Sequence, residues 1–85
     1  MSEKVIGIVG GMGPEAGADL FLQITKATHA KSDMDHLHII MDSNPKMPSR
    51  QDAVLHGTES PVPAMINVAQ NLVKAGADVI IIGAN

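Results

Sequence analysis

The run Val5-Ile6-Gly7-Ile8-Val9 carries no polar side chain and leads through Gly10-Gly11-Met12-Gly13 directly to Pro14. An apolar, β-branched run of this kind reads as a buried strand. A proline placed after it suits the first helical position, where its missing N–H would have had no partner. Strand must therefore become helix within a few glycines, and the rest of the chain has to be built around that strand–turn–helix unit. Glu15 adds negative charge at the positive end of the helix dipole. Ala16, Leu20, Ile24 and Ala27, with Phe21 beside them, form an apolar stripe at helical spacing to about Thr28. Gly17 falls inside this helix at a cost of about 1 kcal/mol relative to alanine, and the sequence offers no role for it.

Residues 29–35 are polar and loop-like, and Leu37 to Met41 is a second short apolar run compatible with a strand. From Asp42 to Glu59 no periodicity is visible, and a connection of that length is usually a lid, a binding loop or a disordered segment. Ser60-Pro61 signals a second helix with Met65, Ala69, Leu72 and Val73 on its apolar face, closed by Lys74-Ala75-Gly76. Val79-Ile80-Ile81-Ile82 reads as a strand covered on both faces. The order is βαβαβ, which predicts an α/β fold: a three-layer parallel sheet with right-handed crossovers. The strands' carboxyl ends then gather residues 10–13, 43–51 and 83–85 at one edge, where open α/β sheets bind ligands. Because the last strand needs cover that nothing here supplies, residues 1–85 are expected to be the first part of a domain in a longer protein.

Composition excludes several functions. With no cysteine there is no disulfide, thiolate metal site or cysteine nucleophile in this stretch. A formal charge of −3 and a single aromatic residue, Phe21, give neither the basic footprint nor the stacking surfaces of a nucleic-acid binder. No apolar run approaches the ~18 residues of a membrane span. The start Met1-Ser2-Glu3-Lys4 does not form a secretory signal, so no membrane partner and a cytoplasmic location are expected.

Three readings compete for the glycine turn. Gly11-Met12-Gly13-Pro14-Glu15-Ala16 formally fits the dinucleotide pattern G-x-G-x-x-[G/A], but the acid closing the second strand, Asp42, is followed by a long loop rather than a helix. No Gly-Lys-[Ser/Thr] is present, so a phosphate P-loop is set aside. Alternatively, backbone N–H groups at the helix N-terminus could hold a smaller anion such as a carboxylate. The glycines could also serve the tight turn alone. His36 and His38, with Asp33 or Asp35, do not make a metal set, since two histidines away from the strand's carboxyl end fall short of one. No metal is expected, and His29 and His56 read as loop histidines.

Three blocks taken together resemble the aspartate/glutamate racemase family in order and spacing. They are Ile6-Gly7-Ile8-Val9-Gly10-Gly11-Met12-Gly13-Pro14-Glu15-Ala16, Asp42-Ser43-Asn44-Pro45-Lys46-Met47-Pro48-Ser49-Arg50, and Ala75-Gly76-Ala77-Asp78 before a strand. The resemblance covers essentially the whole chain. It implies the incomplete N-terminal domain of a two-domain α/β enzyme, homodimeric at full length. Such an enzyme inverts the α-carbon of a small-molecule amino acid, aspartate or glutamate first, with neither pyridoxal phosphate nor metal.

Inversion by proton exchange needs a base on one face of the α-carbon and an acid on the other. In the resembled family these are typically two cysteines, one per domain, and the first would stand where this chain has Ala84. Alanine neither takes nor gives a proton, so the fragment is expected to be inactive alone. Ala84 is open to three readings: an engineered change, a member with lost or altered activity, or a variant working with one base. A racemase-like module that binds an acidic amino acid without chemistry is the alternative.

The resemblance also implies that Arg50 meets a substrate carboxylate, a role suited to a planar bidentate guanidinium. Gln51 is placed to hydrogen-bond the same ligand, Met12 lines the pocket turn, and Asn85 helps hold the α-carboxylate. Lys46 reads as a solvated loop lysine, and Ser43 and Asn44 as residues that shape the loop before Pro45.

Overall fold

The computed structural model describes residues 3–84, and for Arg50 and Ala84 it describes the backbone. Three parallel strands, β1 (Val5–Met12), β2 (His38–Ser43) and β3 (Val79–Ala84), form one open sheet in the order β2-β1-β3. Helices α1 (Pro14–Ala27) and α3 (Val62–Lys74) connect them. No helix among the described residues is long and apolar enough to cross a membrane.

Successive side chains of β1 point to opposite faces, and the two helices cover one face each. Val9 packs with Val68, Leu72 and Ala77 on the α3 side, whereas Gly10 faces Gly17 of α1. The expected three-layer arrangement is therefore present. The core is centred on the middle strand, whose Ile8 and Val9 are the largest fully buried side chains. Each contributes about 1.5–3 kcal/mol by leaving water.

Gly17, unexplained by the sequence, has a packing role. A Cβ built on it would lie 3.3 Å from Gly10 Cα, and one built on Gly83 would lie 3.0 Å from Gly17 Cα. α1 thus rests on β1 and β3 through three glycines, at an approach tighter than ordinary Cβ contacts allow.

The block Ala75-Gly76-Ala77-Asp78 ends α3 and launches β3. Gly76, at φ 112°, follows the C-cap Ala75. Its N–H donates to the Val73 carbonyl at 3.0 Å while the Ala77 N–H donates to the Leu72 carbonyl at 3.0 Å, the paired bonds of a Schellman ending. Ala77 is buried against β1. Asp78 then fastens the new strand to the start of β1: its N–H donates to the Val5 carbonyl at 2.7 Å, and its Oδ2 accepts from the Val5 N–H at 2.8 Å.

Four expectations need correction. The stretch between β2 and α3 is not structureless, since residues Arg50–His56 form a helix, α2. Its signals are end signals rather than a stripe: the Ser49 side chain accepts from the Asp52 N–H at 3.2 Å, and Gly57 closes it at φ 65°. Val54 and Leu55 are 79% and 72% exposed, which is why no apolar period marks it. Second, Val73 does not belong to the inner face of α3. It is 56% exposed, and Val68, one turn before Leu72, occupies the core instead. Third, β3 is an edge strand among the described residues and its cover is partial: Ile80 packs on the α3 side and Gly83 against α1, while Val79 and Ile82 stay about half exposed. Fourth, β2 begins at His38 and runs to Ser43, displaced from the apolar run because pairing with β1, from Val5↔His38 to Gly10↔Ser43, sets its limits.

A Cβ on Gly7 would sit 2.8 Å from the Ala77 Cβ and 3.3 Å from the Leu72 Cβ. Gly7→Val should therefore lower unfolding stability by about 1–3 kcal/mol through overpacking. The urea midpoint is expected to fall with little change in the slope of the transition.

Candidate active site

The order β2-β1-β3 reverses winding direction at β1, so the crevice between the carboxyl ends of β1 and β3 is the switch point at which open α/β sheets hold ligands. Two local features shape it. The pairing of β1 with β3 slips: from Val9 to Met12 β1 advances three residues (12 − 9), while from Ile82 to Ala84 β3 advances two (84 − 82). One extra residue is thus bulged out at the end of β1, which re-aims the turn beyond it. The bulge puts the Met12 backbone beside that of Ala84.

The second feature is a backbone contact. Gly11 has φ +104°, and a Cβ on it would lie 2.2 Å from the carbonyl oxygen of Asn44. The Asn44 N–H donates to the Gly10 carbonyl at 3.2 Å. Asn44 Oδ1 accepts from the Lys46 N–H at 2.9 Å, turning the chain at Pro45. The expected loop-shaping role thus falls to Asn44, while Ser43 is an exposed end of β2 and Lys46 an exposed loop residue. The chain then passes Met47, which packs against the Val9 cluster, and reaches the Ser49 cap of α2.

Between these segments lies a cleft of about 450 Å³. Gly11, Met12 and Gly13 form one side, the segment from Pro45 to Gln51 supplies Pro45, Met47, Pro48, Ser49 and Gln51, and Met65 and Ile82 close it from α3 and β3. None of these ten residues is charged. At the mouth of α1 the N-cap is Gly13, so no side chain caps the helix, and its positive end faces the cleft.

Of the residues singled out from the sequence, Met12 and Gln51 meet in this cleft. Arg50 is the first residue of α2, between the cleft residues Ser49 and Gln51, and so stands on a helix rather than in a loop. Ala84 contributes its backbone beside Met12. Asn85 lies outside the described residues. Pro45, Met47 and Pro48 fall in the segment 43–51 that was expected at this edge, though no role was given to them, whereas sequence reasoning missed Met65 and Ile82 as lining residues. Met65 was legible as apolar helix face, but a helix that follows a strand's carboxyl end starts at that same edge, so its first turn overlooks the site.

Among the described residues no three His, Asp or Glu side chains gather as a metal set. His36 follows a short 3₁₀ turn (Asp33–Asp35), and its Nδ1 is buried with no hydrogen-bond partner. It borders a separate hollow at the base of α1 with Phe21, Ile24, Thr28 and Leu37.

The profile of the Asp/Glu/hydantoin racemase family matches residues 9–85. This chain belongs to that family. Its structure also superposes on Picrophilus torridus aspartate racemase with a TM-score of 0.88 at 36% sequence identity, over 94% of this chain. The superposition covers 35% of that protein, so this racemase-family chain spans about a third of the length of its relative. The switch-point cleft, shared between glycine turn, β2–α2 segment and β3, is thereby the candidate active site of a racemase-family domain.

Two substitutions test how the cleft is held. Gly11→Ala should cost about 1–3 kcal/mol from backbone strain alone, and since it pushes against Asn44 it should also shift the amide resonances of Asn44 and Lys46. Ser49→Ala should remove about 1 kcal/mol from α2. Hydrogen exchange at the Ala53 amide, which donates to the Ser49 carbonyl, is expected to quicken while that of Ile8 stays slow.

Proposed function

We propose that this chain is the carboxylate-gripping part of the first domain of an amino-acid racemase that uses neither pyridoxal phosphate nor metal, with aspartate or glutamate as substrate. The observation that carries the reading is the pairing of Met12 with Ala84, since Met12 shares the cleft with Ser49 and Gln51. A carboxylate seated at the uncapped start of α1 meets oriented N–H groups and the helix dipole. Its α-carbon then lies over the end of β3, where position 84 is the place for a proton-transferring group.

In this scheme Arg50 and Gln51 bind the ligand, and Asn85 helps to hold the α-carboxylate. Proton exchange requires a second group on the opposite face of the α-carbon, supplied in the proposal by a second, similar domain in a cytoplasmic homodimer. A thiol at position 84 would suit the role, because proximity to a helix N-terminus lowers its pKa toward neutrality. Alanine there holds no proton to give. This favours a second reading in which the domain binds an acidic amino acid and performs no chemistry.

Calorimetry with L- and D-aspartate, combined with deuterium exchange at the α-carbon followed by NMR in heavy water, separates these. The 85-residue chain is expected to bind L-aspartate and to exchange no α-hydrogen. A protein carrying both domains should exchange it once Ala84→Cys is introduced. Failure of that variant to exchange aspartate or glutamate would remove the racemase reading and leave the binding one. Arg50→Ala should weaken L-aspartate binding by at least about tenfold, the loss expected for a charge-assisted hydrogen-bonded pair. Arg50→Lys should recover only part of it.

A further inference from the structure

Beyond the residues that grip the carboxylate, the cleft has an apolar wall. Met12, Met47 and Met65 come from the end of β1, the segment after β2 and the first turns of α3, and they meet around the same space with Ile82 beside them. The chain has six methionines, and half of them line this one cleft, so the wall has a definite chemistry. Thioether side chains are unbranched, polarizable and able to repack around differing shapes, and flexible methionine-rich surfaces are characteristic of sites that accept more than one ligand.

The wall is also partly anchored. Met47 packs against the buried cluster of Val9, Val68, Leu72 and Ala77, and Met65 is half-buried on α3. A charged group pressed on this wall would lose hydration with no partner to replace it. A hydrocarbon chain would gain about fourfold in affinity for each buried CH₂.

From this we infer that Met47, Met65 and Ile82 form a side-chain subsite that accepts amino acids with unbranched neutral side chains, in addition to the acidic ones held through Arg50. The inference rests on the proposed function, in which the turn of residues 11–13 holds the α-carboxylate and so directs the substrate's side chain toward this wall.

The test uses the 85-residue chain with ¹³C-labelled methionine methyl groups, titrated separately with L-aspartate, L-norleucine and branched L-tert-leucine. Norleucine is expected to shift the Met47 and Met65 methyl resonances, to leave that of the exposed Met34 unmoved, and to bind more tightly than tert-leucine. Met65→Gln should lower the ratio of norleucine to aspartate affinity by fivefold or more, and Met65→Leu should restore it. Because Met47 touches the core, the Met65 variants decide the outcome, with circular dichroism as the check on folding. Binding of aspartate without binding of norleucine, or an unchanged affinity ratio in Met65→Gln, would overturn the subsite and leave the carboxylate grip standing. If no amino acid binds, aspartate included, the carboxylate grip itself fails and the subsite falls with it.

Discussion

The close passage of the Asn44 backbone over Gly11 is the constraint on which the carboxyl edge depends. At a φ of +104° with a carbonyl oxygen 2.2 Å from where a Cβ would stand, position 11 has no room for a methyl group. The Asn44 N–H bond to the Gly10 carbonyl fixes the approach, and the Asn44 side chain turns the chain onward to Pro45 and Met47. Two walls of the cleft are thus joined backbone to backbone. Backbone contacts have few alternative rotamers, so the spacing between glycine turn and β2–α2 segment is set before any ligand arrives.

The same economy of side chains appears in the layers beneath. Gly17 lets α1 settle onto Gly10 and Gly83, which places the start of α1 close against the sheet edge. Ala77 fills the space above Gly7, and Asp78 ties β3 to Val5. The block Ala75-Gly76-Ala77-Asp78 is therefore structural in its whole length: helix stop, core filler and strand anchor in four residues. Two of the three blocks through which this chain resembles its family thus serve largely to place backbone, and the middle one, from Asp42 to Arg50, contributes four of the ten cleft residues, more than either of the others.

α2 is attached differently from the other helices. It is held mainly by its own caps, Ser49 at one end and Gly57 at the other, while Val54 and Leu55 face outward. The cleft side of α2 is consequently the end that is chemically defined, where Ser49 and Gln51 lie next to Met47 and through it the core. Local opening in this region has few buried contacts to break, so it is the low-stability part of the fold.

Much of this architecture was legible in the chain itself. β-branched runs bounded by glycine, the proline that opens α1, and the Gly76 ending of α3 are local signals with local causes, and they determined the element order, the parallel sheet and the edge at which a site would form. The caps of α2 were legible too, but they were obscured because the helix buries no stripe and so leaves no period. What only the tertiary structure decided is which surfaces meet. That Val68 rather than Val73 enters the core, that Gly17 is a contact between layers, that β1 bulges to set Met12 beside Ala84, and that three methionines distant in sequence share one cleft are all consequences of strand register and helix placement. Those are relations between segments, and no segment carries the position of its neighbour in its own residues.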